Sequence, residues 1–421
     1  SWRGAEIKNF LEFDQVYENT KVIRLEENYR STENILAVAS NLIANNENRV
    51  GKTLKTTLDE GELVKLNCYK NGKDEAIGIS DEIEKIKKEY SYNNITILVR
   101  AIFQTREFEE RFLKIGLPYR ILGGIKFYER AEIKDCVAYL RLVYQEKDDL
   151  AFERIVNNPK RSIGDSTLKS IHEFAKKQKD CLEISSRKMI EENLIKPKAK
   201  IGLTSFLDLI SKWRNDLTIK KVGHVKLLQT ILDESGYSAM LKNKKDLENE
   251  NRLENIKELL SAMKEFDNLE SFLDHVSLAT SIDQEWEGEK VNMMTMHAAK
   301  GLEFDVIFLP GWEEGLFPHQ KSIEEKGQNG LEEERRLAYV GLTRAKKKVV
   351  VSFSMNRFYQ GDWIDSMASR FIDELPDKYL EKNSFFDETK EEIEEFEFNQ
   401  DIENESGINS PGWLRYQKRI K

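Results

Sequence analysis

The sequence predicts an α/β protein in which a parallel-sheet domain is interrupted by an inserted α-helical domain. Short apolar runs typical of buried strands occur on both sides of a long helical region, at Leu63–Tyr69, Ile95–Val99 and Val306–Leu309. From about 124 to 286, apolar residues instead recur at helical spacing. Parallel strands need crossover connections, which are usually helices. The alternation of strands and helices on either side of the helical region therefore favours a parallel sheet.

The composition fits a chain of two or three domains, with 421 residues, 39% hydrophobic and 33% charged. No apolar run is long enough to span a bilayer and no signal-peptide pattern opens the sequence, so we expect a cytoplasmic protein with no membrane partner. The three cysteines are scattered without a C-x-x-C pair, which argues against a metal site or a disulfide framework.

The net charge of −9 is concentrated near the C-terminus. Between Phe385 and Glu405, ten acidic residues stand against one lysine, so this segment carries −9 and the rest is about neutral. A neutral body can still carry basic faces that bind nucleic acid. We expect the tail from about 381 to be disordered or to bind a partner. Since the sequence starts without an initiator Met, we also expect a fragment of a longer protein.

A helix that begins after Arg30 opens the first part of the sheet domain. Ser31 or Thr32 is a suitable N-cap for it, and a helix N-terminus favours anions. A β-α-β unit follows, and Gly123-Gly124 is a flexible point that marks a domain boundary. The predicted elements are strands 63–69 and 95–99 and helices 76–88 and 106–115.

The inserted region contains a basic turn, Pro159 to Gly164, that leads into a capped helix. With Lys160 and Arg161, the backbone N–H groups there could hold a duplex phosphate; an ordinary capped turn is the alternative. The helices predicted for the insert are 131–144, 150–156, 166–177, 206–217, 222–235, 249–264 and 269–280.

The second part of the sheet domain contains most of the candidate chemistry. A polar loop with His297, Lys300 and Glu303 separates two strands, and a later helix ends near Arg344. The predicted elements are strands 291–296, 306–309 and 349–353, a helix from about 331, and a short closing helix over 366–374.

These residues suit one half of a nucleotide site. Arg30 and Arg344 can neutralise charge on a transferring phosphoryl group, and Glu303 can accept a ribose hydroxyl; a surface ion pair is the alternative for each. No G-x-x-x-x-G-K-[S/T] occurs, and no apolar strand ends in an acidic pair suited to magnesium. His297 has no nearby His or Cys, so a structural hydrogen-bonding role competes with a ligand role.

Four motifs together resemble those of the UvrD/PcrA/Rep family of superfamily 1 DNA helicases. Residues 28–32 (NYRST) resemble motif IV, 294–304 (MTMHAAKGLEF) motif V, 332–345 (EEERRLAYVGLTRA) motif VI, and 2–5 (WRGA) the end of motif III. Segments 123–128, 311–319 and 369–371 resemble further family segments. The resemblance covers residues 1 to about 380.

The resemblance implies a RecA-like fold of the P-loop NTPase type. Residues 1–27 would end the first RecA-like domain, 28–123 and 288–380 would form the second, 124–287 would be the α-helical accessory domain, and 381–421 the acidic tail. The Walker A and B motifs, and with them the Mg²⁺ of an ATP site, would belong to a first domain outside this sequence.

The resemblance also implies residue roles at the nucleotide. Arg30 and Arg344 would be catalytic arginine fingers at the ATP γ-phosphate. Tyr29 would stack on adenine, and Glu303 would contact the sugar or the γ-phosphate side of the cleft.

On DNA, the resemblance implies that Trp2 stacks on a base, with Arg3 beside it, and that Arg100 and His297 line the single-strand path. The duplex-contacting turn would use Lys160, Arg161, Ile163 and Gly164. Two positions depart from the family: Ser162 replaces the usual glycine, and Ile102 stands where relatives often have asparagine.

The implied function is ATP-driven 3′–5′ translocation on single-stranded DNA and unwinding at a single-strand/duplex junction, in repair or replication restart. A repair protein would bind the acidic tail, and the fragment alone would be inactive as an ATPase. A non-enzymatic DNA- or protein-binding module is the alternative. A subunit of a helicase–nuclease machine is a third reading, which the lack of a metal-binding carboxylate cluster after Leu375 disfavours.

Overall fold

The computed structural model describes residues 16–17, 20–21, 26–47, 55–243, 247–281, 288–359 and 362–385. The chain divides into two compact units. The sheet unit takes the chain up to Gln104, Glu289–Arg357 and the part from Ile364, and the helical unit takes Thr105–Gly288 and Phe358–Trp363. This first boundary lies earlier in the chain than the predicted one at Gly123-Gly124.

The sheet unit is built on parallel strands. Within it, six strands follow one another in the order β10-β3-β8-β7-β4-β6, and each neighbouring pair is parallel. All five residues of β4 are buried, as expected for a parallel strand covered on both faces. The strands of the chain are β1 Glu27–Asn28, β2 Lys55–Thr56, β3 Val64–Asn71, β4 Ile95–Val99, β5 Tyr119–Ile121, β6 Val291–Thr295, β7 Phe304–Leu309, β8 Ala345–Tyr359, β9 Asp362–Asp365 and β10 Leu380–Phe385.

Three helices of the sheet unit, 33–44, 72–86 and 328–342, are amphipathic and bury one face, whereas helix 320–326 has no fully buried residue. In α2, the Asn71 side chain caps the start by accepting a hydrogen bond from the Asp74 amide, which satisfies one free N–H of the first turn. The helices are α1 Glu33–Ala44, α2 Gly72–Ile86, α13 Gln320–Lys326 and α14 Gln328–Leu342.

The helical unit packs around large side chains that include Tyr139, Phe152, Phe206 and Trp213, all fully buried. The helices predicted for this region are confirmed, but α7, α10 and the first half of α8 were not predicted. Its helices are α3 Thr105–Ile115, α4 Ala131–Tyr144, α5 Asp149–Ile155, α6 Asp165–Gln178, α7 Leu182–Glu191, α8 Pro197–Thr218, α9 His224–Glu234, α10 Tyr237–Asn243, α11 Leu247–Met263 and α12 Leu269–Ser281. Among the residues that the structure describes, no helix combines the length and apolarity needed to cross a membrane.

Two predictions near the C-terminus are wrong. Residues 366–374 form a bridge and turns instead of a helix, because the Ser369 amide donates to the Trp312 carbonyl (2.8 Å) and Arg370 pairs with Glu314. The predicted tail also begins too early, since Leu380–Phe385 pairs with β3 as β10.

Parallel strands give the sheet two chemically distinct edges. Glu303 and Arg344 directly precede β7 and β8, so they lie at the amino edge. Arg100 follows β4 and His297 lies just beyond β6, so both lie at the carboxyl edge. The loop between β6 and β7 therefore runs from one edge to the other.

Close backbone packing fixes the basic turn of the helical unit against α8. A Cβ atom added at Gly202 would lie 2.1 Å from the Arg161 carbonyl oxygen, far inside van der Waals contact. One turn further along α8, the Phe206 ring lies 4.7 Å from the Arg161 guanidinium. Any side chain at residue 202 would push the turn away from the helix.

We predict that Gly202→Ala destabilises the chain, by about 1–3 kcal/mol from overpacking. Helix propensity alone predicts the opposite sign, since alanine is favoured over glycine by about 1 kcal/mol inside a helix. Urea unfolding measures whether Gly202→Ala lowers or raises the free energy of unfolding. As a control, Gly223→Ala, where the added Cβ has no neighbour within 4 Å, should cost under about 1 kcal/mol. A stabilised Gly202→Ala variant would contradict the packing argument.

Candidate functional site

Arg30, Glu303 and Arg344 come together at the amino edge of the sheet. Arg30 Nε donates to Glu303 Oε2 at 2.8 Å, and Arg30 Nη1 lies 3.5 Å from the Thr343 carbonyl oxygen. Arg344 donates from Nη1 to the Leu302 carbonyl at 3.3 Å. Burial, and then the nearby Arg30, lower the pKa of Arg344. The charges of Arg30 and Arg344 therefore act on each other, and Glu303 is a carboxylate partner of Arg30.

A set of hydrogen bonds holds the two arginine segments in fixed register, and we call these contacts between residues 30–32 and 343–346 the junction. The buried Ser31 hydroxyl donates to the Ala345 carbonyl at 2.6 Å, and the Thr32 amide donates to the Lys346 carbonyl at 3.3 Å. A buried hydroxyl needs such an acceptor, so the register is strongly specified. The junction sets the spacing of the two guanidinium groups.

Lys346 also belongs to this site, although the sequence analysis did not single it out. Its Nζ lies 2.9 Å from Glu303 Oε1, while Arg30 uses the other oxygen. Lys346, and then Arg30, lower the pKa of the Glu303 carboxyl to about 2. Three consecutive lysines gave no signal of which one meets a carboxylate at the site, because that depends on the strand register.

Tyr29 precedes Arg30 and is 84% exposed, so a flat ligand can reach its ring. An aromatic ring in that position is suited to stacking on a base.

The start of α1 does not offer free backbone donors, contrary to the expectation from the sequence. The amides of Glu33 and Asn34 donate to the carbonyls of Asp59 and Glu60 at 3.1 and 3.0 Å. Thr32 occupies the N-cap position but makes no side-chain capping bond. Attraction of an anion at this edge therefore comes from side-chain charge.

At the carboxyl edge, Arg100 is already paired. Its Nε and Nη2 donate to the two oxygens of Glu334 at 2.8 and 2.7 Å, and Glu334 also accepts from the His319 amide and the Ser322 hydroxyl. This bidentate pair connects β4 to α14. Glu334 was not predicted, because a run of three glutamates does not reveal which one faces the sheet.

His297 has an exposed ring near Arg100. Desolvation, and then the positive charge of Arg100, lower the pKa of His297 below its usual value. The ring is therefore neutral at pH 7 and can act as a hydrogen-bond donor or acceptor, but not as a cation.

In the turn of the helical unit, Arg161 and Ile163 point inward. Arg161 donates to the carbonyls of Ile155, Val156 and Pro159, and Ile163 is fully buried. These two side chains hold the turn, whereas Lys160 is exposed. Gly164 has no neighbour within 4 Å of an added Cβ and lies at the N-cap of α6.

Ser162 occupies the position where the family usually has glycine, and its φ is 62°. This left-handed conformation costs a non-glycine residue about 1–2 kcal/mol. The Asn157 side chain compensates by accepting hydrogen bonds from the amides of Arg161 and Ile163. These two hydrogen bonds stabilise the turn around Ser162.

Two predicted DNA-binding residues and most of the predicted tail lie outside the described residues. Trp2 and Arg3 lie outside the described residues, as does the tail from residue 386. Within the described part of the chain, no group of three or more His, Cys, Asp or Glu side chains is arranged to hold a metal ion.

Comparison with known proteins identifies the family. Residues 23–356 match the UvrD-like helicase C-terminal domain. The chain belongs to this family. The predicted resemblance and the RecA-like α/β fold class are thereby confirmed.

Relatives of this family member are named as helicases. A probable DNA helicase II homolog of Rickettsia felis is 46% identical over 387 residues, which are 91% of this chain and 59% of that protein. DNA helicase II of Escherichia coli is 39% identical, covering 90% and 54% respectively. The ATP-dependent DNA helicase PcrA of Bacillus subtilis is 41% identical, covering 92% and 54%. The chain spans a little over half the length of these relatives.

We predict that the Glu303 carboxyl titrates with a pKa of about 2, measured by NMR. Because its pKa is depressed on folding, its contribution to stability is present above pH 4.5 and is lost as the pH falls from there towards 2. Lys346→Met should raise this pKa more than Arg30→Met, since Lys346 is the larger cause. Lys347→Met, whose lysine pairs with Asp305, should leave it unchanged. A Glu303 pKa near 4.5 in the unmodified chain would rule out both ion pairs.

Proposed function

We propose that this chain is the second RecA-like domain and the accessory domain of an ATP-dependent 3′–5′ DNA helicase or translocase. It supplies Arg30 and Arg344 to the γ-phosphate of ATP held on a separate RecA-like domain, and it supplies surfaces for DNA. The observation that carries this proposal is the junction, which fixes two arginines from distant parts of the sequence at one edge of the sheet.

The charge arrangement suits phosphoryl transfer. Negative charge spreads over the equatorial oxygens of the transferring group, and positioned guanidinium groups stabilise it without covalent chemistry. Arg30 contacts Glu303 through Nε, so other donors of its five remain for a phosphate. Arg344 is anchored by carbonyls of the preceding helix and of the β6–β7 loop, which limits its motion.

The remaining nucleotide contacts follow from the same edge. Tyr29 stacks on adenine, and Glu303 orients Arg30 while lying close enough to the cleft to meet a ribose or a phosphate-bound water. The Mg²⁺ of the ATP belongs to the domain that carries the Walker motifs, since the described residues of this chain offer no carboxylate cluster for it.

The DNA surfaces lie elsewhere on the chain. His297 and the Arg100–Glu334 pair border the single-strand path at the carboxyl edge, and Trp2 and Arg3, which lie outside the described residues, also bind the single strand. Lys160 contacts the phosphates of the duplex where double-stranded DNA meets single-stranded DNA. The turn that carries Lys160 is held by Arg161 and Ile163. The cytoplasmic protein acts in repair or replication restart, and its acidic tail binds a repair protein.

The β6–β7 loop and α14 couple the two activities. The loop runs from His297 at the carboxyl edge to Glu303 at the amino edge, and α14 connects Glu334 to Arg344. Opening and closing of the cleft around ATP can therefore change the contacts to DNA. This coupling gives directional movement along the strand.

We predict that Arg344→Ala in the full-length helicase that carries this chain lowers the kcat of DNA-stimulated ATP hydrolysis by about 10³-fold or more, the usual effect of removing an arginine finger. Affinity for single-stranded DNA should stay within about threefold, because Arg344 lies at the other edge of the sheet. Steady-state ATPase assays and fluorescence anisotropy measure the two quantities.

Arg141→Ala is the matched control, since Arg141 pairs with Asp148 inside the helical unit. It should retain normal turnover. If Arg344→Ala hydrolyses ATP as fast as this control, the arginine-finger role is wrong.

We also predict that this chain alone does not hydrolyse ATP, with or without single-stranded DNA, because its sequence lacks a Walker A motif. Joining it to a RecA-like domain with Walker A and B motifs should restore turnover. Absence of turnover from the joined protein, with DNA binding intact, would instead favour the non-enzymatic DNA-binding module. Hydrolysis by the chain alone that Arg344→Ala abolishes would overturn the assignment of the Walker motifs to another domain.

A further inference from the structure

Glu303 is shared between two cations at the amino edge of the sheet. Lys346 Nζ lies 2.9 Å from Oε1, and Arg30 Nε lies 2.8 Å from Oε2. The Glu303 and Lys346 side chains are 43% and 39% exposed, so both border solvent where a nucleotide would approach. Each carboxylate oxygen therefore has a different partner, and neither cation takes the carboxylate alone.

Backbone contacts keep Lys346 in place. The Lys346 carbonyl accepts a hydrogen bond from the Thr32 amide, two residues after Arg30. The Ala345 carbonyl accepts from the buried Ser31 hydroxyl. Lys346 thus starts from a fixed point beside Arg30, and its side chain reaches Glu303 without displacing the junction.

The sharing has a consequence for Arg30. A carboxylate and a guanidinium prefer a bidentate, two-bond arrangement, which is a strong pairing. Without Lys346, Glu303 is free to rotate and to take both Nε and an Nη atom of Arg30. That arrangement directs the arginine to the carboxylate instead of to a phosphate.

We infer that Lys346 is a positioning residue for ATP hydrolysis. Lys346 holds one oxygen of Glu303 and so keeps the terminal Nη donors of Arg30 available for the γ-phosphate. This inference rests on the proposed function and adds a residue to it. The neighbouring lysines have different roles: Lys347 pairs with Asp305, and the largely buried Lys348 contacts Glu62 and Glu82.

A double-mutant cycle tests the inference in the full-length helicase. Lys346→Met keeps the aliphatic stem and removes the charge, and Glu303→Gln keeps the shape of the acid. We expect Lys346→Met to lower the kcat for DNA-stimulated ATP hydrolysis about tenfold, a fraction of the loss from removing a whole arginine finger. The KM for ATP should change by less than about twofold, and Lys346→Arg should restore kcat to within about threefold.

The decisive arm is the Glu303→Gln background. If Lys346 acts through Glu303, Lys346→Met there causes no further loss of kcat. An equal tenfold loss in that background would mean that Lys346 contacts the phosphate directly and would overturn the inference. Lys347→Met is the control at the adjacent residue and should keep normal turnover.

Folding and the proposed function are separated by two further measurements. Thermal unfolding midpoints of Lys346→Met and Lys347→Met should agree within about 3 °C, and a loss of kcat explained by unfolding of Lys346→Met would count against the inference. Arg344→Ala is assayed in parallel. If it remains active, the proposed function fails; if it is inactive while Lys346→Met is fully active, only the role of Lys346 fails.

Discussion

The buried hydrogen bond from the Ser31 hydroxyl to the Ala345 carbonyl is the contact on which the candidate site depends. It joins residues 314 positions apart in the sequence. Closing so long a connection costs chain entropy. Burial of apolar side chains by the parallel sheet offsets this cost. With the register set, Arg30 and Arg344 lie beside each other, and Glu303 and Lys346 take positions around them. A shift of this register would move the four charged side chains apart even though each of them kept its charge.

The sheet separates two kinds of chemistry. Strands that run in one direction put residues that precede β7 and β8 at the amino edge, and residues that follow β4 and β6 at the other. The residues at the amino edge carry uncompensated positive charge. At the carboxyl edge, Arg100 is neutralised by Glu334, and His297 is neutral. In the proposed function the nucleotide lies at the amino edge and DNA at the carboxyl edge, which fits the membership of the chain in the UvrD-like helicase C-terminal domain family. The loop between β6 and β7 connects the two edges.

Sequence patterns predicted the elements whose signal is local. Continuous apolar runs gave β4 and β7, helical spacing gave α4 and α12, and the motifs gave Arg30 and Arg344. Predictions failed where tertiary contacts decide. Residues 366–374 have a helical pattern, yet the Ser369 amide donates to the Trp312 carbonyl. The sequence also does not reveal that the Arg161 guanidinium donates to three backbone carbonyls. Glu334 and Lys346 were missed because each is one of several like residues in a run, and only the fold selects which of them meets a partner.

The occupied start of α1 has a consequence for selectivity. A cradle of backbone amides recognises a phosphate by shape, whereas this edge attracts it through partly exposed guanidinium and ammonium groups. Such attraction weakens with ionic strength, because charges in solvent are screened over about 8 Å at physiological salt. It also discriminates poorly between phosphate, sulfate and carboxylate. In the proposed function this chain therefore contributes positive charge at the γ-phosphate, and recognition of the ligand as a triphosphate depends on the residues that bind its other side.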